Sequence, residues 1–313
     1  MLLRALGVIL LGSILQLPGR GAPRVTPHWD TFRYSPTVSI RYFTAGTGPE
    51  IMVLLHGLAS SADTWRDLLD DLDCNCTYYA LDLKGHGGSS APDDHAYTVD
   101  DNAAIVRAFL QARQLRGVIL AGHSYGGAVA LRTALDYNAE PDRIRALLLL
   151  GTPGTKQHFP LYMTTLRYQR PARFFEKFTP AELSAWIALR KMYYDRHAAT
   201  PARIAQYANL WRDPQKNRAM RETGSEFLRH GLKEIAAETR NVHVPTLVIA
   251  GAKDAIVRTK QQKKLAGRIP NAQYVTIPAC GHVPQEERPR ETARDINAFV
   301  NSLATHNTSV DSM

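Results

Sequence analysis

The chain has 313 residues, 44% of them hydrophobic and 21% charged, with a formal net charge of +9. These values are ordinary for a soluble globular protein and leave room for one large α/β domain with an insertion. Three cysteines exclude a complete disulfide framework, no Cys/His zinc spacing occurs, and the basic balance is not accompanied by any nucleic-acid-binding motif.

Met1 to Arg4 gives a short basic start, and Ala5 to Leu17 is a 13-residue run without charge, broken by Pro18-Gly19-Arg20-Gly21. Thirteen helical residues span about 20 Å, short of the roughly 30 Å of a bilayer's hydrocarbon core. Residues 1–21 therefore read as a secretory signal peptide cleaved before Ala22, with an uncleaved membrane anchor as the alternative. Either reading predicts an exported protein, periplasmic or secreted.

Thr37 to Ala45 alternates like a half-exposed strand, and Ile51 to Leu55 is a fully apolar one running into His56-Gly57-Leu58. Asp63 to Leu72 carries Trp65, Leu68, Leu69 and Leu72 on one helical face. Thr77 to Leu83 reads as the next strand and Tyr97 to Leu115 as a helix. Cys74 and Cys76 are too close in sequence for an unstrained bridge in an extended segment. All three cysteines are thus expected as free thiols without a catalytic role.

Val118 to Ala121 predicts a buried strand, and the spacing of Ala128, Val129, Leu131, Ala134 and Leu135 predicts a helix after it. Between them stands G-x-S-x-G, filled by Gly122, His123, Ser124, Tyr125 and Gly126. A serine in so sharp a strand-to-helix turn presents its hydroxyl beyond the carboxyl end of the sheet. Ile144 to Leu150 is a further strand. Strand–helix alternation then stops and resumes at Pro245 to Ala250, followed by a helix over Thr259 to Gly267, a strand over Gln273 to Ile277 and a helix over Arg288 to Leu303. The pattern predicts a doubly wound, mainly parallel sheet with sites beyond its carboxyl edge. Residues 22–154 and 241–304 make the core, 155–240 a helical cap, and 305–313 a disordered tail. Within the cap, Thr179-Pro180-Ala181-Glu182 reads as a capping box, and Thr200-Pro201 opens another helix.

A serine hydroxyl needs a base to act as a nucleophile, and the base needs an orienting acid. Both should follow Ser124 at later strand ends. His282 lies just beyond Gln273 to Ile277, and Asp254 lies beyond Pro245 to Ala250. The turn after Leu150 offers no rival carboxylate. Backbone N–H groups of Leu58 and Tyr125 are the expected oxyanion donors. His56 and His86 are expected to hydrogen-bond within loops and His123 to pack beneath the elbow.

From about Thr37 to Leu303 the chain resembles the α/β-hydrolase superfamily, in its capped, lipase/esterase-like branch. The stretches that carry the resemblance are HGLASS, DLKGHGGS, GHSYGG, VIAGAKDAIV and CGHVPQEERP. The resemblance implies a serine hydrolase of carboxylic esters, using Ser124, Asp254 and His282 through an acyl-enzyme, with no cofactor and no metal. The alternatives are a carbon–carbon bond hydrolase or cofactor-free perhydrolase with the same triad, and a non-catalytic ligand receptor on the same fold. Branches that use an aspartate nucleophile, such as epoxide hydrolases and haloalkane dehalogenases, are disfavoured by Ser124. Carbon–carbon hydrolases commonly carry an aromatic residue after the base, and Val283 departs from that.

The cap holds 16 Lys and Arg against 8 Asp and Glu, so +8 of the chain's +9 lies there. This is either a solvated surface or an attraction to a membrane surface or acidic substrate. The cap's aromatic residues (Phe174, Phe175, Phe178, Trp186, Tyr193, Tyr194 and Trp211) should build its own core or line an acyl pocket. The cap is expected to set the choice of small-molecule acyl substrate and to leave chemical activation to the sheet.

Overall fold

A computed structural model describes residues 25–154, 159 and 178–308. The expected signal segment (1–21), Phe174 and Phe175, most of 155–177 and the end of the tail (309–313) lie outside the described residues. The strands are β1 (His28–Arg33), β2 (Ser39–Ala45), β3 (Glu50–Leu55), β4 (Cys76–Leu81), β5 (Val118–His123), β6 (Ile144–Leu150), β7 (Thr246–Gly251) and β8 (Ala272–Ile277). Among the described residues they form one sheet in the order β1-β2-β4-β3-β5-β6-β7-β8. The β1–β2 and β2–β4 pairs are antiparallel, and every pair from β4–β3 to β7–β8 is parallel.

The period-two rule sorts the strand residues between two cores. Val53 and Leu55 of β3, and Val118 and Leu120 of β5, face α2 (Val99–Ala112) and α3 (Tyr125–Asp136). Met52, Leu54, Ile119 and Ala121 point the other way. There they meet Leu68 and Leu69 of α1 (Arg66–Leu69), and Ile296, Phe299 and Val300 of the last helix. A continuous apolar run such as Leu147 to Leu150 thus covers both faces at once. The described cap helices are α4 (Ala181–Met192), α5 (Pro201–Leu210), α6 (Pro214–Glu226), a π-helical turn at Phe227–Gly231, and α7 (Leu232–Glu238). After β7 come α8 (Thr259–Ala266), then α9 (Pro284–Glu287) and α10 (Pro289–Thr308). No helix among the described residues is long and apolar enough to cross a membrane.

Three expectations need correction, and one strand went unpredicted. Cys74 and Cys76 form a disulfide, with Cα atoms 5.3 Å apart. The chain is bent rather than extended at Cys74, and Cys76 N–H donates to the Cys74 carbonyl at 2.8 Å, which brings the two side chains together. Thr179 is not an N-cap: α4 starts one residue later, with Pro180 in the cap position and no side-chain cap bond. Thr200, by contrast, does cap α5, accepting from Arg203 N–H. The tail's first residues continue α10 to Thr308, since no glycine or proline follows Leu303 to stop a helix already propagating. β1 escaped notice because a short, exposed edge strand of mixed polarity has no clear alternation.

Candidate active site

The parallel register aligns the carboxyl ends of β5, β6, β7 and β8. His123 pairs with Leu150, Leu150 with Ile249, and Gly251 with Ile277. Whatever follows those strands converges on one edge. Ser124 follows β5 directly, with φ 52° and ψ −114°, a conformation L-residues rarely adopt. Its own N–H donates to Leu150 O at 2.8 Å, and its carbonyl accepts from Gly127 and Ala128 at the start of α3. The elbow glycines permit this turn. A Cβ at Gly122 would fall 2.4 Å from Gly126 O, and one at Gly126 would fall 2.4 Å from both Leu55 O and His56 O.

Asp254 and His282 arrive from the neighbouring strand ends. The Asp254 carboxylate is fixed by Ile256 N–H (2.8 Å) and Val257 N–H (2.9 Å) on Oδ1, and by Gln262 Nε2 (3.0 Å) on Oδ2. Its Oδ2 also lies 2.9 Å from His282 Nδ1, and His282 Nε2 lies 3.0 Å from Ser124 Oγ. An ionised carboxylate only accepts, so Nδ1 carries the imidazole proton and Nε2 turns its lone pair to the serine hydroxyl. The structure therefore brings the three sequence-selected side chains into one hydrogen-bonded chain, with Asp254 and His282 buried and Ser124 half-buried.

The segments that carry the two selected amides both adjoin Ser124. Tyr125 is the first residue of α3, where an N–H has no partner inside the helix. A Cβ at Gly57 would lie 3.3 Å from Ser124 Cβ, so the loop carrying Leu58 passes beside the nucleophile. The surrounding histidines are neutral scaffolding. His56 Nε2 accepts from Leu83 N–H at 2.9 Å and its Nδ1 donates to Gly57 O at 2.7 Å; burial pulls its pKa down to about 4. His86 donates from Nδ1 to Lys84 O, and burial pulls it down to about 3. His123, also depressed by burial, donates from Nε2 to the carbonyl of His282 at 2.9 Å and so ties the elbow to the base. Burial pushes the Cys280 thiol far up, which leaves it un-ionised and unreactive.

Sequence reasoning missed a further shell. His282 N–H donates to Met192 O, at the end of α4, at 2.6 Å. The turn α9, immediately after the base, then reaches outward with two carboxylates. Glu286 accepts from Tyr193 OH and from Tyr207 OH (3.1 Å), and Arg203 stands 3.5 Å away. Glu287 accepts from the backbone of Gly281 (3.1 Å), Tyr194 (2.9 Å) and Asp195 (3.3 Å). The cap also grips the loop beside Ser124: Trp211 Nε1 donates to Ala59 O at 2.9 Å and Tyr207 OH lies 3.3 Å from Ser60 Oγ. Val283 itself packs into the cap's small core with Ala185, Leu189, Tyr193 and Tyr207. The QEE in the CGHVPQEERP stretch was the available signal, since adjacent carboxylates beside a buried histidine need partners.

Among the described residues, one group of metal-capable side chains stands apart, Asp93, His95 and Glu222. Arg218 already answers its charge, at 2.6 Å from Asp93 and 3.4 Å from Glu222. A cation there would meet a guanidinium, so the donor set is that of an ion-pair cluster.

Residues 50–289 match the family model described as alpha/beta hydrolase fold. Monoacylglycerol lipase ABHD6 of Homo sapiens is 28% identical over 274 residues, covering 84% of this chain and 78% of the relative. The hydrolase YugF of Bacillus subtilis (strain 168), itself uncharacterized, is 27% identical over 258 residues, covering 81% of this chain and 90% of the relative. Among solved structures, 2-hydroxy-6-oxo-6-phenylhexa-2,4-dienoate hydrolase (BphD) from Rhodococcus sp. strain RHA1 superposes with a TM-score of 0.75 at 21% identity, covering 88% of this chain and 99% of that one.

Proposed function

The chain belongs to the α/β hydrolase fold family, and from that premise we propose that it is a serine hydrolase of carboxylic esters acting through an acyl-enzyme on Ser124. The observation that carries the proposal is the unbroken Ser124 Oγ–His282 Nε2–Asp254 Oδ2 hydrogen-bonded chain, at 3.0 and 2.9 Å. Ser124 Oγ attacks the ester carbonyl carbon while its proton passes to His282 Nε2. Asp254 stabilises the resulting imidazolium and holds its tautomer. The carbonyl oxygen, now an oxyanion, meets the Leu58 and Tyr125 N–H groups. As the C–O bond to the alcohol breaks, His282 returns the proton to the departing alkoxide. Water, deprotonated by the same ring, then attacks the acyl-enzyme, and the imidazolium returns that proton to Ser124 Oγ as the acyl C–O bond breaks and the acid leaves. Apart from the ester and water, every group in this proposed cycle is a side chain or backbone amide of the protein.

The monoacylglycerol lipase relative supports an ester as substrate, whereas the likeness to the dienoate hydrolase carries the fold alone. Val283, seated in the cap core rather than presented to a substrate, adds nothing for a carbon–carbon bond. The test is a panel of short p-nitrophenyl esters and monoacylglycerols set against vinylogous 1,5-diketones. Turnover of the esters with release of free acid is expected; cleavage of the diketones alone would overturn the reading. Export belongs to the same proposal, with a mature chain beginning near Ala22. Amino-terminal sequencing that returned Met1 from a cytoplasmic fraction would contradict it.

A further inference from the structure

We infer that the outward side of the cap helix α4, together with the basic cleft at its end, docks on a lipid surface rich in anionic phosphate headgroups. The apolar observation comes first. Among the described residues, the exposed large hydrophobic side chains are Tyr34 and five in a single stretch, Phe178, Leu183, Trp186, Ile187 and Tyr194, between 43% and 65% exposed. Leu183, Trp186, Ile187 and Arg190 follow helical spacing along one side of α4. Ala185 and Leu189 occupy the opposite side and are fully buried in the cap core. A solvated cap helix needs only the buried stripe. A second apolar stripe facing water is costly unless something covers it.

The charge observation is independent. Where α4 ends, a cleft of about 710 Å³ opens between the chain after Met192 and the loop of Asp254. Arg190, Lys191, Arg196, Lys253 and Arg288 line it, against the single carboxylate Asp195, which lies 3.8 Å from Arg288. Five cations gathered in one concavity repel each other and attract anions. The two features are continuous: Arg190 stacks over the Trp186 ring with its guanidinium carbon 4.8 Å from the centroid, and Tyr194 belongs to both. An apolar stripe carrying a tryptophan and ending in clustered Lys and Arg matches the depth profile of a bilayer surface, with acyl chains below and phosphates above. A soluble organophosphate would match only the basic half of this surface, whereas a bilayer offers acyl chains and a plane of phosphates together.

The inference does not depend on the ester reading. The test uses the full chain, sedimented with vesicles of phosphatidylcholine and with equimolar phosphatidylcholine and phosphatidylglycerol. Binding should favour the anionic vesicles and weaken with salt. The charge variant Lys191→Glu/Arg196→Glu and the apolar variant Trp186→Ser/Ile187→Ser should each lower the partition coefficient by about tenfold or more. Hydrolysis of a short soluble ester, read without vesicles, should stay within about twofold of the parent: Trp186 and Ile187 are exposed, which corrects the expectation that Trp186 builds the cap core or lines an acyl pocket, and Lys191 and Arg196 line the basic cleft. Equal binding to both vesicle types, or parent-like binding by both variants, would overturn the inference and assign any membrane affinity to residues 1–24. A fall in oligomeric mass for the apolar variant, without vesicle binding, would assign the face to a second copy and equally overturn it. So would binding of glycerol 3-phosphate, lost in the charge variant, by a chain that ignores vesicles. Absence of ester hydrolysis in the parent would instead count against the proposed function and leave the docking result readable.

Discussion

The carboxyl edge of the sheet and the cap that covers it are built on different principles. At the edge, Ser124, Asp254 and Tyr125 are fixed by their own strands and by local backbone: Ser124 by the elbow, Asp254 by Ile256 and Val257 N–H, and Tyr125 by the start of α3. The cap holds its place through long-range bonds to the loops around that edge, from Met192, Tyr193, Tyr207 and Trp211. Chemistry placed by local geometry can be read one motif at a time. Placement by long-range bonds makes the two regions depend on each other. The cap's residues bond the backbone of His282 and the loop beside Ser124, so the cap helps to position the site, while Ser124, Asp254 and His282 themselves all come from the sheet's carboxyl edge.

Breaking the edge should have the largest effect. Ser124→Ala and Asp254→Asn should each lower kcat by about 10⁴-fold or more while the fold survives, and Ser124→Ala/His282→Ala should be little worse than Ser124→Ala alone. Steady-state kinetics on the double variant checks this, and losses that multiplied would show that the residues do not act as one unit. Next comes the tie between regions. Glu286→Leu leaves two phenols and a guanidinium facing an apolar side chain, and should cost about 3–5 kcal/mol of stability in urea unfolding. An unchanged midpoint would show that the bonds to Tyr193, Tyr207 and Arg203 contribute nothing net.

The third effect separates the regions by pH. His56 is held neutral by burial, with a folded pKa of about 4 below its unfolded value near 6.5. The unfolded chain therefore binds the proton first as pH falls. Stability from this site is complete above the unfolded value and is lost from about pH 6.5 downward, by roughly 3 kcal/mol at pH 4. His86 and His123 act in the same direction. Unfolding free energies measured at several pH values should fall along this slope, more shallowly in His56→Gln; a flat profile would contradict the buried neutral rings. The smallest effect tests positioning. Tyr207→Phe removes one hydroxyl that touches both Glu286 and Ser60, and should lower kcat by about tenfold with little change in KM. A lower Tm with unchanged kcat would reduce Tyr207 to a purely structural role.

How much of this was legible in the sequence follows the same division. The parallel sheet, its strand limits to within a few residues, and the placing of Ser124, Asp254 and His282 beyond three strand ends came from periodicity and spacing, since strand ends and elbows are local features. Gln262, which orients Asp254 from eight residues away on α8, has no sequence mark that separates it from a surface glutamine. Tyr207 and Glu286 are 79 positions apart and nothing in either neighbourhood announces the pairing. The Cys74–Cys76 bridge was missed because it depends on a bend ahead of β4 that an apolar pattern does not encode.

The central claim is that Ser124 is an activated nucleophile, and covalent labelling tests it most directly. The intact protein treated with a small soluble fluorophosphonate, digested and examined by mass spectrometry should carry one adduct, on the peptide containing Ser124. Labelling should be lost in His282→Ala, whose serine retains its hydroxyl but has no base within reach. A folded protein that stays unlabelled, or labels at another residue, would contradict the account.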